Sequence, residues 1–187
     1  MAKQYPALQA GHRDFIQRQK IFFTGSAAAD GRVNISPKGM DSLKILSDNS
    51  VVYMDLTGSG AETVAHIRAS GRLTLMFCAF EGPPEILRLY GQGTSLPRGT
   101  SGYDHMLQSA FGGRELPGAR QFIRLDFDLV QSSCGYAVPF FDFKEERTQL
   151  VTWSAKASEA ELDAYRRKTN ATSIDGFPTG LFSETDA

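Results

Sequence analysis

Apolar residues in this chain recur at two spacings, and the changes between them mark the elements. Leu8, His12, Phe15, Ile16 and Gln19 share one side at helical spacing, so residues 1–20 are expected to hold a short amphipathic helix. Residues 21–24 and 32–36 then read as strands joined through Ala29-Asp30-Gly31, a reversal in which glycine tolerates positive φ. A third strand, 51–56, runs into Thr57-Gly58-Ser59-Gly60 and a helix over 61–69 that Gly71 stops. Ser59 and Glu62 stand at capping-box spacing before it. A fourth strand at 73–79 ends ahead of Pro83-Pro84, and a fifth at 86–94 is interrupted by Gly91 and Gly93, which predicts a bend or bulge. Residues 103–111 read as a short helix. The clearest alternation is 122–129, with Ile123, Leu125, Phe127 and Leu129 on one face and Arg124, Asp126 and Asp128 on the other. That is antiparallel sheet with one wet side. Ser158 and Glu161 cap a last helix over 158–169, and an irregular tail follows over 170–187.

Six strands with helices only at ends and crossovers predict a mainly β fold with peripheral helices: a six-stranded antiparallel split β-barrel. One domain is expected, with an N-terminal helix in 1–20, a barrel core over 21–134 and a C-terminal helix and tail over 150–187. Length agrees, since 187 residues suffice for one core and are few for two. Composition then acts mainly by exclusion. Lys and Arg number 20 against 21 Asp and Glu, without the basic excess of a nucleic-acid binder. No apolar run approaches the ~20 residues of a membrane span, and no signal-peptide pattern opens the chain. Cys78 and Cys134 make no disulfide framework, which points to a reducing, cytoplasmic setting. His12, His66 and His105 share no ligand spacing, so no metal site is expected.

The stretch richest in chemistry is Asp55 to Thr63. A strand feeding a glycine turn and a helix N-terminus offers unpaired amides and a positive dipole end to an anion, and Ser59 and Thr63 add hydroxyls. The alternative is a plain capped helix in which Ser59 satisfies its own backbone. A dinucleotide fingerprint is excluded: Thr63 stands where a third small residue belongs, the later strands alternate, and no second βαβ unit follows. A partner for the turn is offered by Asn34-Ile35-Ser36-Pro37-Lys38-Gly39, where a strand ends in a hydroxyl and a lysine. Lys38 is either a solvated loop lysine or a second arm on the same phosphate.

This order of segments, over roughly residues 21–94, resembles the pyridoxamine 5′-phosphate oxidase-related, flavin-binding split-barrel family. The resemblance implies FMN as cofactor, bound at a homodimer seam. It gives Lys38 the flavin phosphate and lays Val33, Asn34, Ile35 and Ser36 along the isoalloxazine ring. Tyr53 and Met54 match its third-strand positions, and Ser59, Gly60, Glu62 and Thr63 its phosphate loop. Two features depart from the vitamin oxidase proper. Its phosphate loop carries an arginine and a lysine where Glu62 and Thr63 stand, and its closing Arg-x-His pattern is absent from 173–181. The chain therefore reads as a relative, with a phosphate held by local geometry and not by a basic field.

Trp153 is either a stacking partner for flavin or, as large aromatics usually are, a packed residue at the barrel end. Cys134 has no cationic neighbour in sequence to lower its pKa and reads as packing or a close backbone approach. His66 reads as a core or helix-face residue near the turn, and no catalytic set emerges from spacing. Two functions remain open: an FMN-dependent oxidoreductase acting on a small molecule, or a non-catalytic flavin carrier or sensor.

Overall fold

The computed structural model describes residues 2–182, so the last five residues of the expected tail lie outside the described residues. One antiparallel sheet holds eight strands: β1 (Lys3–Tyr5), β2 (Phe22–Ser26), β3 (Asn34–Lys38), β4 (Leu43–Ser47), β5 (Ser50–Leu56), β6 (Arg72–Cys78), β7 (Ile86–Pro97) and β8 (Ala119–Ser133). Their order is β3-β2-β6-β7-β8-β5-β4, with β1 pairing the last part of β8. β3 and β4 are opposite edges of that order yet consecutive in the chain, joined only by residues 39–42. The sheet must therefore curl until its edges meet at this corner, which makes it a split barrel. Met40 and Asp41 take φ of 64° and 51° to turn the corner, a conformation that costs non-glycine residues energy.

All six expected strands are present, and β1 and β4 enlarge the sheet to eight. β1 has three residues and little apolar content, and β4 is cut short by a bulge between Ile45 and Ser47, so neither has a long periodic signature. Between Tyr90 and Gly91 the β7–β8 register shifts as the glycine signal predicted. A Cβ on Gly91 would sit 2.0 Å from the Asp126 carbonyl oxygen, so only glycine fits. The same bulge corrects one expectation: Tyr90 pairs with Leu129 but Gly91 with Phe127, so Val130, and not Leu129, continues the buried face.

Inside the barrel Val51, Tyr53, Leu75, Leu87, Leu89, Ile123 and Leu125 form the core. Outside, Val52, Met54 and Phe122 pack under α3 (Ser101–Phe111). Both faces of β5 are thus covered, which explains its unbroken apolar run. α1 (Ala10–Arg18) buries His12, Phe15 and Ile16 as its spacing predicted. α2 (Glu62–Ser70) packs on β2, β6 and β7 and ends at Gly71, in the left-handed region at φ 73°. After β8 come an extended arm, α4 (Gln149–Lys156), which the sequence pattern did not announce, and α5 (Glu159–Asn170), whose Ser158–Glu161 capping box forms as expected.

Candidate functional site

A carboxylate inside an apolar strand must be paired, and Asp55 of β5 is. Its Oδ1 accepts from Lys38 Nζ at 2.9 Å, and its Oδ2 accepts from Arg120 Nε and Gln121 Nε2, both at 2.8 Å. Burial alone would favour the neutral acid. The charges of Arg120 and Lys38, with the hydrogen bonds from Arg120 and Gln121, outweigh it and hold the carboxyl well below the usual carboxylate range. Two cations share one anion, which leaves net positive charge beside the turn that follows β5.

That turn is held from below. Thr57 donates through its amide and its hydroxyl to the Gly118 carbonyl, and its Oγ1 accepts from Arg166 Nε at 2.7 Å. The Gly58 carbonyl accepts from Asn170 Nδ2 and the Gly60 carbonyl from Arg120 Nη1, each at 3.0 Å. Neither Gly58 nor Gly60 has positive φ, and a Cβ on Gly58 would meet nothing within 4 Å. On Gly60 it would meet only Glu62 Oε1, at 3.8 Å. Neither the chain's own conformation nor its packing requires these glycines, so the open space above them suits a ligand that approaches the backbone. The capping box expected of Ser59 and Glu62 does not form. Ala61 is the N-cap without a side-chain bond, Ser59 is exposed, and Glu62 Oε1 instead accepts from the Ile174 amide of the tail at 3.0 Å. Among the described residues no acceptor meets the first-turn amides of α2.

From the other side β3 reaches the same helix. Asn34 Nδ2 donates to Thr63 Oγ1 at 3.1 Å and to Ser26 Oγ at 3.2 Å, while Ser36 Oγ donates to Asn34 Oδ1 at 3.1 Å. Ser26 is in turn 3.2 Å from His66 Nδ1, so His66 belongs to a buried polar network behind the turn. Lys38 Nζ stands 5.8 Å from the Tyr53 ring centre. Burial, and next the Asp55 charge, push the Tyr53 hydroxyl pKa well above its usual value, and among the described residues this buried hydroxyl has no hydrogen-bond partner.

Among the sequence-derived candidates, Asn34, Ser36, Lys38, Tyr53, Gly60 and Thr63 therefore come together. Val33 and Ile35, each 69% exposed, project from the edge of the sheet. Met54 is not brought to them: it lies on the opposite face of β5, where its sulfur accepts from the Leu116 amide. Trp153 is not core as its size suggested. It is 41% exposed on α4 and packs edge-on against Tyr165 of α5. Cys134 is exposed, and the close backbone approach belongs to its neighbour Gly135, whose Cβ would lie 3.0 Å from the Glu85 amide.

Beside Lys38 a cleft of about 1260 Å³ opens between Phe15, Pro37 and Phe80 and the arm carrying Phe141 and Phe143. The Phe80 and Phe141 rings lie 5.5 Å apart, and Lys20 sits over Phe143. Sequence reasoning missed Arg120, Gln121, Arg166 and Asn170, and it gave Asp55, at the head of the loaded stretch, no role of its own. One signal was readable: an aspartate inside the apolar run 51–56 demands a buried cation, although its identity has no local mark.

The family model described as Pyridoxamine 5′-phosphate oxidase matches residues 8–134. The pyridoxamine 5′-phosphate oxidase family protein ustO of Aspergillus flavus is 37% identical over 195 residues, covering 96% of this chain and 78% of that protein. Among solved structures, HupZ of Group A Streptococcus superposes with a TM-score of 0.52 at 20% identity, over 65% of this chain and 91% of that one. A Clostridium acetobutylicum protein related to general stress protein 26 of B. subtilis gives 0.50 at 13% identity, over 66% and 86%. Both structural likenesses concern the fold.

Proposed function

The chain belongs to the pyridoxamine 5′-phosphate oxidase family, and on that premise we propose that it is an FMN-dependent oxidoreductase acting on a small molecule, with the flavin bound between two copies of a single-domain chain. The observation that carries this reading is the convergence at the glycine turn: free amides, open glycine positions and the Lys38–Asp55–Arg120 charge chain meet where the resemblance implies a phosphate. The residues fit a flavin phosphate. Ser59, Gly60 and the first amides of α2 would hold its oxygens, Thr63 would add a hydroxyl, and Lys38 keeps donors to spare beyond the one given to Asp55.

Among the described residues the outer edge of β3 pairs with no strand, so its backbone is available to the polar rim of a flavin ring, flanked by Val33 and Ile35. Bound flavin would supply hydride or electron transfer. The chain's part is orientation and exclusion of water, and the cleft beside Lys38 offers space for the second reactant. A carrier or sensor role is the second reading. It is favoured by one observation: the ionisable groups at the turn are already occupied, Lys38 and Arg120 by Asp55, and Tyr53 is held neutral.

Purified protein that is yellow, and whose flavin is reduced by NADH or NADPH and reoxidised with turnover, is the expected result. Bound flavin that never turns over would move the assignment to the carrier. Colourless protein that takes up no added FMN would overturn both.

A further inference from the structure

The inner side of the glycine turn is tethered at two carbonyls. Asn170 Nδ2 holds the Gly58 oxygen and Arg120 Nη1 the Gly60 oxygen, each at 3.0 Å. The same Arg120 nitrogen donates to Asn170 Oδ1 at 2.6 Å, so the tethers form one unit. A trans peptide places its carbonyl and the following amide on opposite sides, and none of the described peptides is cis. Drawing the two carbonyls toward β8 and α5 therefore turns the Ser59 and Ala61 amides the other way. Neither amide donates to any atom among the described residues.

From this geometry we propose that Arg120 and Asn170 are positioning residues that hold the Ser59 and Ala61 amides pre-aimed at a phosphomonoester, here the phosphate of the flavin. The inference rests on the flavin reading above and adds to it a source for the site's rigidity. Arg120 and Arg166 are buried beneath the turn, at 8% and 9% exposure, so they act without touching the ligand: by anchoring carbonyls and by their field. The vitamin oxidase proper has an arginine and a lysine on this loop where Glu62 and Thr63 stand here, and the two buried arginines put positive charge behind it instead. Asn170 and Arg166 also lie beyond the 8–134 span of the family match. A helix outside the shared core thus supplies half of the tether, and amides fixed before binding lose less freedom when the ligand arrives.

The test is to titrate the wild-type chain, Asn170→Ala and Arg120→Lys with FMN and with riboflavin, which lacks the phosphate. Both variants keep the formal charge. FMN affinity is expected to fall about tenfold or more in each, while riboflavin affinity stays within about twofold. Equal losses for both flavins, or none for either, would overturn the positioning role. Should Arg120→Lys fail to fold, Asn170→Ala decides, since Asn170 carries no charge. A measurement without variants is the NMR response of the wild-type chain to inorganic phosphate. The Ser59 and Ala61 amide resonances are expected to move, and a titration that leaves both in place contradicts the proposal. Wild-type protein with no affinity for FMN would overturn the flavin reading itself. Wild-type protein that binds FMN, with variants that bind it equally well, would overturn only the positioning.

Discussion

At the glycine turn both Asp55 oxygens, Thr57 Oγ1 and the Gly58 and Gly60 carbonyls are each met by a donor within 3.0 Å, whereas the arm over 134–148 is held by the bonds from Val138 to Gly135 and from Phe141 to Phe80. The arm nevertheless displays Tyr136 at 84% exposure and Phe140 at 79%. The two regions flank Lys38, one through Asp55 and the other across the cleft. The contrast separates two ways of making a site. Buried charges have few tolerable arrangements, because each unpaired one costs several kcal/mol, so the turn is expected to keep one geometry before any ligand arrives. Exposed aromatic rings lose little by moving, so the arm can adapt to what lies against it.

The strongest challenge to this contrast is Asp55→Asn. It leaves Lys38 and Arg120 without their shared anion and should cost about 3–5 kcal/mol of unfolding free energy, read by urea denaturation. A loss no larger than that of an arm variant would erase the distinction. Acid gives the next test. The folded carboxyl of Asp55 titrates well below the 3.8 of the free group, so the unfolded chain takes up a proton that the folded chain refuses. Its contribution is complete above about pH 5 and is lost as pH falls through the folded value. Wild-type stability should therefore decline more steeply than that of Asp55→Asn on acidification below about pH 5. Parallel declines would mean that the pair is not specially stabilised.

Lys38→Ala comes third, with FMN binding weakened by about 1.5–3 kcal/mol through the loss of a charged hydrogen bond. Isothermal titration would show it, and an unchanged Kd would remove Lys38 from the site. The smallest effect is expected at Phe141→Ala. Its ring is 59% exposed and has one aromatic neighbour, so unfolding free energy should change by less than about 1 kcal/mol. A larger loss would show the arm to be as fixed as the turn.

Strands with long periodic patterns were legible because each residue there answers to neighbours two or four places away. The Asp-Gly reversal, the Gly91 bulge and the Ser158 cap belong to this local class, as do all six expected strands. The Ser59–Glu62 box shows the limit. Its spacing was right, but Glu62 met the tail amide of Ile174 across 112 residues, and no local rule describes that competitor. The charge network fails for the same reason: Asp55 meets Arg120 across 65 residues, and Gly58 meets Asn170 across 112. Those partners were invisible while the lone aspartate in an apolar strand was not. The residues themselves marked the turn and Lys38 as a candidate anion site, and the resemblance assigned both to a flavin phosphate. It could not supply Arg166 and Asn170, which stand beyond the matched segment.

As proposed, the turn and Lys38 form a phosphate cradle for flavin. The most direct measurement is the wild-type chain's affinity for FMN against riboflavin, read by flavin fluorescence in one buffer. FMN is expected to bind at least about tenfold more tightly, a gap of roughly 1.4 kcal/mol contributed by the phosphate alone. Equal affinities, or no binding of either flavin, would contradict it.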